Sequence, residues 1–153
     1  MNRRKLREAV FCLLYCRQFY PAAEFEEQME LFLDHFSAAI GDEPPLFAAM
    51  EEADREEIER KIRGIGEQTR VIDAAISQAS RKWTIDRIDR IDLVILRLAY
   101  YEMAMDETVP AKVAVNEAVE LAKKYGQDNS PAFINGVLSN LMQQLEQKSQ
   151  ADT

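Results

Sequence analysis

The chain has 153 residues and a mass of 17.6 kDa, the size of one compact domain or two small bundles. Apolar residues at 47% and charged residues at 30% exclude bulk disorder, and only five Gly and five Pro disfavour a turn-rich sandwich and favour long helices. The net charge of −8 argues, as an average, against a nucleic-acid binder. The longest apolar run, Ala9 to Cys16, is far shorter than the roughly 20 residues that span a bilayer. The basic N-terminus lacks a small-residue cleavage site, so a cytoplasmic protein with no membrane segment is expected. Cys12 and Cys16, four apart, do not form a CxxC pair, and the one histidine, His35, does not complete a zinc site with them. Buried, reduced thiols and no metal or other cofactor are expected.

The charge is unevenly placed. Residues 1–17 hold Arg3, Arg4, Lys5, Arg7 and Arg17 against Glu8 alone. Residues 18–60 hold thirteen acids against Arg55 and Arg60. The acidic average is therefore set by one segment and masks a compact basic tip.

In chain order, Arg3 to Tyr20 reads as a helix stopped by Pro21. Leu6, Val10, Leu13 and Leu14 form one apolar stripe, and Phe11, Cys12, Tyr15 and Phe19 a second. Glu24 to Ile40 follows with Phe25, Met29, Phe32, Leu33, Phe36 and Ile40 at helical spacing, closed by Gly41. Pro44 and Pro45 mark a loop or a new start. Leu46 to Gln78 has strong helical propensity, with Ile58, Ile62, Ile65, Ile72 and Ile76 inward and Gly64 and Gly66 as interruptions. Thr84 is the expected N-cap of a helix built on Ile88, Ile91, Ile95 and Leu98, with Asp86 in its first turn. Val109-Pro110 opens a helix whose apolar face is Val113, Ala114, Ala118, Leu121, Ala122 and Tyr125, ended by Gly126. Ser130-Pro131 starts the last helix, with Phe133, Ile134, Val137, Leu138 and Leu141 inward. No strand-like alternation occurs. The expected fold is all-α, about seven helices in two small packed bundles, near residues 1–80 and 84–145, with 146–153 a disordered polar tail.

No phosphate loop, dinucleotide fingerprint or HExxH motif is present, and a single histidine rules out a paired Glu-x-x-His di-iron bundle. His35 reads as a partly exposed helix residue. The acids Glu51, Glu52, Asp54, Glu56, Glu57 and Glu59 read as a solvated helix face. A non-enzymatic binding protein is the expected class. The cations Arg3, Arg4, Lys5 and Arg7 sit where the helix macrodipole disfavours them, and they suit phosphate neutralisation with counterion release.

Several separated motifs carry a family resemblance. Trp83 to Ile88 leads into Ile95-Leu96-Arg97-Leu98-Ala99-Tyr100-Tyr101-Glu102. Val109 to Lys123 follows, and then Phe133-Ile134-Asn135-Gly136-Val137-Leu138. Together with the basic opening and Leu13-Leu14-Tyr15, these resemble the NusB family of bacterial transcription antitermination factors. The resemblance covers about residues 1–20 and 54–142 and implies two helical bundles without catalysis. It further implies binding of boxA-like single-stranded RNA jointly with ribosomal protein NusE, within the transcription elongation complex, in support of ribosomal RNA transcription. Carried over residue by residue, RNA contact falls on Arg3, Arg4, Lys5 and Arg7 and on Asn129, Ser130 and Phe133. A helix N-terminus offers N–H groups to phosphate there, and Phe133 suits either base stacking or its own core. Asn135 and Gly136 are expected to serve helix packing. The partner face falls on Tyr15, Asp86, Arg87, Arg90 and Asp92, with Asp86 and Arg90 paired four apart. Tyr15 fits either that face or the core. Homodimerisation through the partner surface is left open. The alternatives are a helical protein–protein interaction module without direct RNA binding, using the acidic segment 18–60, and a helical enzyme with an unrecognised site.

Overall fold

The computed structural model describes residues 1–37, 50–81 and 83–151. Its regular structure is helical throughout: α1 (Arg3–Arg17), α2 (Ala22–Ser37), α3 (Glu52–Glu67), α4 (Thr69–Ser80), a 3-10 turn (Ile85–Arg87), α5 (Arg90–Met105), α6 (Ala111–Tyr125) and α7 (Ser130–Ala151). No strand occurs among the described residues. The chain divides into two compact units, Met1–Gly64 and Ile65–Thr153.

In the first unit, α1 buries Leu6, Val10, Phe11, Leu13 and Leu14, α2 buries Phe25, Met29 and Leu33, and α3 buries Ile58 and Ile62. Each such side chain removed from water contributes about 1.5–3 kcal/mol. Ion pairs link α2 to α3: Arg63 grips Glu26 with two nitrogens at 2.9 and 3.2 Å, and Arg55 meets Asp34 at 2.6 Å. Exposed pairs of this kind contribute little stability, so they chiefly set register. Arg63 holds the Glu26 carboxyl below its ordinary range. The α1 helix ends at Arg17, before the expected Tyr20, because the residue preceding a proline is disfavoured in helical geometry. The chain tightens there, with Phe19 N–H donating to Cys16 O and Tyr20 N–H to Arg17 O. The expected roles of Ile40, Gly41, Pro44, Pro45 and Leu46 lie outside the described residues, as does the side chain of Phe36. The acid Glu57 is only partly exposed and ion-paired, so the acidic run is not wholly a solvated face. Neither cysteine is in a disulfide, both are half-buried rather than buried, and burial pushes the Cys16 thiol up. The one histidine, His35, is exposed.

The long stretch beyond residue 50 breaks at Gln68, not at Gly64 or Gly66. The Thr69 hydroxyl donates to Ile65 O at 2.9 Å and Gly66 O at 3.1 Å. A side-chain donor thus takes the carbonyls that a continuing backbone would use. The next helix, α4, belongs to the second unit, where it packs on α5 and α7, although the sequence places residues to about 80 with the first bundle. Arg97 on α5 grips Asp73 on α4 through two 2.8 Å bonds, and Asn140 Nδ2 on α7 donates to Ala79 O at 3.1 Å.

Thr84 caps only the 3-10 turn, and α5 starts at Arg90. Asp89 is its N-cap, accepting from Ile91 N–H at 3.0 Å and Asp92 N–H at 3.4 Å. Leu93 through Leu96, Leu98 and Ala99 are all buried, as befits a helix touched by α4, α6 and α7. On α6, Ala114, Ala118, Leu121 and Ala122 are buried as expected, but Val115 is buried in addition and Val113 is 42% exposed. The last helix runs to Ala151 rather than fraying after residue 145, since its polar end holds no proline or glycine and mostly good helix formers.

Asn135 and Gly136 are exposed, and a Cβ at Gly136 would meet nothing within 4 Å. Neither residue serves packing among the described residues. Gly136→Ala is therefore expected to stabilise the protein by about 0.5–1 kcal/mol through helix propensity and a less flexible unfolded chain. Thermal unfolding should show a rise of about 1–4 °C, and a fall in melting temperature would contradict the open surroundings.

Candidate nucleic-acid interface

The basic tip is built by the start of α1. Asn2 caps the helix, its Oδ1 accepting Lys5 N–H at 2.8 Å. The first turn holds no acid, so Arg3, Arg4 and Lys5 sit together against the macrodipole, and all three are exposed. Acids of α3 face part of the tip: Arg3 Nη1 meets Glu57 Oε2 at 2.6 Å and the Met1 amine meets Asp54 at 3.4 Å. The Glu51 backbone N–H, and then the terminal amine, hold the Asp54 carboxyl low. Arg7 departs from expectation. It is 6% exposed, one turn further on where α1 turns toward the core, and so is not offered to a phosphate. Further along α1, Tyr15 is half-buried and makes an edge contact with Phe19 at 5.4 Å. Phe19 itself is 58% exposed.

In the second unit, four of the other candidate residues, Arg87, Asp92, Asn129 and Phe133, converge. Trp83, Arg87, Asp92, Gln127, Asn129 and Phe133 line one hollow of about 160 Å³. Residues expected to contact RNA, Asn129 and Phe133, thus share a wall with Arg87 and Asp92, expected on the partner face. Phe133 is half-buried and meets the Trp83 indole edge-on at 6.4 Å.

Two expected contact residues point inward here. Ser130 is buried, and its hydroxyl accepts Gln127 N–H at 2.9 Å and bonds to the Asp92 carboxyl. Asp92 is 7% exposed, and its Oδ1 has no partner. Burial pushes its carboxyl up, against the opposing pull of Ser130. Asp86, Arg87 and Arg90 are exposed. The expected Asp86–Arg90 pair is not built, because Asp86 lies in the 3-10 turn and Arg90 opens α5. The Thr84 hydroxyl holds the Asp86 carboxyl low instead.

Trp83 and Gln127 were missing from the residues expected to form a site. A lone tryptophan beside the charged Ile-Asp-Arg run was the available signal for the first, and Gln127 offered none. Among the described residues, no cluster of acids, cysteines or histidine could hold a metal ion, and no helix is long and apolar enough to cross a membrane.

A model of the NusB family matches residues 4–143. The chain belongs to the NusB family. The transcription antitermination protein NusB of Agathobacter rectalis is 42% identical over 139 residues, covering 91% of this chain and 98% of that protein. The solved structure of T. maritima NusB superposes with a TM-score of 0.73 at 34% identity, over 92% of this chain and 90% of its own. A structure of antitermination factors NusB and NusE in complex with double-stranded RNA shares the fold, with a TM-score of 0.69 at 22% identity, over 91% of this chain and 94% of that one. As a NusB-family chain, it carries both candidate RNA-contacting regions inside the matched span, apart from Arg3.

Proposed function

We propose that this chain is a non-enzymatic transcription antitermination factor that binds boxA-type RNA together with ribosomal protein NusE. In that role it supports elongation through ribosomal RNA operons. The reading rests above all on the exposed cationic tip, Arg3, Arg4 and Lys5, in a first helical turn that holds no acid, within an otherwise acidic chain. Local charge, not the mean, sets attraction for a phosphate backbone. The fold shared with a chain solved alongside NusE and RNA adds a partner of the required kind. NusE is expected to bind the exposed charges Asp86, Arg87 and Arg90, with Tyr15 a further contact.

The test is a gel-mobility or anisotropy titration with boxA-like RNA, with and without NusE. The expected result is tighter binding of boxA than of a scrambled sequence, and tighter still when NusE is present. Equal binding of the two RNAs in both conditions would overturn the boxA assignment. Recovery of a protein partner whose binding ignores Arg3, Arg4 and Lys5, with no RNA bound, would favour the interaction-module alternative.

A further inference from the structure

The hollow beside Trp83 has features that packing within the chain does not explain. The indole is 48% exposed yet steadied by the edge contact with Phe133, so an aromatic surface is held in place and left uncovered. Asp92 is 7% exposed, one of its oxygens has no donor, and it lines the same hollow. A buried carboxylate oxygen without a donor is a standing cost, one that an entering N–H group would remove. The hollow, of about 160 Å³, is on the scale of one planar ring system rather than of a stack.

We infer that this hollow receives one unstacked base of single-stranded RNA, stacked against the Trp83 indole and donating its exocyclic amino group to the Asp92 carboxylate. The inference rests on the RNA-binding reading above and adds to it a reading residue, Asp92, and a stacking residue, Trp83. Single-stranded RNA is recognised by stacking splayed bases on aromatic side chains and reading their edges. Acidic side chains accept from the amino group of cytosine, whereas uracil offers a carbonyl at the same position and would meet the carboxylate with repulsion. Arg87 is exposed and borders the hollow, where it suits the phosphate of the inserted nucleotide. It also disfavours a cationic side chain of a partner protein as the occupant. The raised Asp92 carboxyl agrees with a group kept buried at some cost to the fold.

Trp83 is the only tryptophan in the chain, so intrinsic fluorescence reports from this hollow. The full chain, alone and with NusE, is titrated with short oligo(C) and oligo(U) RNA while fluorescence and the anisotropy of labelled RNA are followed together. The expected result is quenching that tracks binding, and oligo(C) binding tighter than oligo(U) by about two- to tenfold, the worth of one hydrogen bond. Trp83→Ala should weaken binding about tenfold while Trp83→Phe keeps most of it. Asp92→Ala should erase the preference for cytosine, and Asp92→Asn, which retains an acceptor oxygen, should keep part of it. The wild-type comparison of the two RNAs does not depend on any variant folding.

RNA binding with unchanged fluorescence and equal affinity for the two RNAs would overturn the inference and leave the RNA-binding reading standing. No RNA binding with or without NusE would overturn both. Quenching by NusE alone, with Trp83→Ala weakening NusE but not RNA, would make the hollow a protein site and overturn the inference.

Discussion

Gly126→Ala is expected to destabilise the fold by about 1–3 kcal/mol, the usual cost of overpacking a well-filled position. Gly126 ends α6 with a φ of −89°, which any residue can adopt, so backbone freedom is not the reason for glycine here. The reason is space. A Cβ at this position would lie 2.7 Å from both Cβ and Oγ of Ser130 and 2.8 Å from the carbonyl oxygen of Ala122. The carbonyl accepts the Gly126 N–H at 2.9 Å and cannot retreat without breaking the helix end. Ser130 is buried at the start of α7 and bonded to Gln127 N–H and to Asp92. Relief must therefore move the α6–α7 connection, and with it the Asn129 and Phe133 side of the hollow. The melting temperature should fall by about 2–12 °C, at roughly 2–4 °C per kcal/mol for a chain of this size. A melting temperature within a degree of wild type would show that the α6–α7 turn is far more compliant than its packing implies.

The second large effect concerns RNA binding at the tip. Arg4 and Lys5 are exposed in the first turn of α1. Each phosphate contact removed from a single strand flattens the slope of log K against log salt by about 0.7. Arg4→Ala combined with Lys5→Ala should then reduce the slope by about 1.4, and binding should weaken at low salt for boxA and scrambled RNA alike. Neither substitution removes a buried side chain; the loss of the 3.7 Å Lys5–Glu8 pair opposes the relief of the macrodipole, so melting should change little. An unaltered salt slope would remove the tip from the interface. Glu57→Gln tests the same surface in the opposite direction. It breaks the 2.6 Å pair with Arg3, a partly exposed contact that holds one cation against α3. RNA affinity should rise by up to about fivefold, the upper end for an exposed pair, and a fall in affinity would mean that Glu57 positions Arg3 rather than competing for it.

Much of the fold was legible because helical periodicity is local. Leu6, Val10, Leu13 and Leu14, or Ile134, Val137, Leu138 and Leu141, announce a buried face by spacing alone, and all eight are buried. Errors arose where a few competing interactions decide an outcome. Whether Thr84 or Asp89 caps a helix depends on which carboxylate or hydroxyl reaches the free N–H groups. Whether a long helix breaks at a glycine or at Thr69 depends on one hydroxyl taking two carbonyls. On α6 the centre of the buried face is as expected, and only its flank differs: Val115 rather than Val113 is covered, on a helix packed against α5 and α7 together.

The candidate site divides the same way. The sequence by itself determined the helical class, the core stripes, the family motifs and the basic tip inside an acidic chain, because composition, period and local charge are properties of neighbours along the chain. Tertiary structure alone decided that Arg7, Ser130 and Asp92 are buried while Arg4, Lys5 and Asn129 are exposed. It also brought Trp83, Asp92 and Phe133 around one hollow although they lie up to fifty residues apart. Side chains alike in polarity differ in exposure by a rotation of about 100° per residue about a helix axis. Which side of that rotation meets water is fixed by the neighbouring helices.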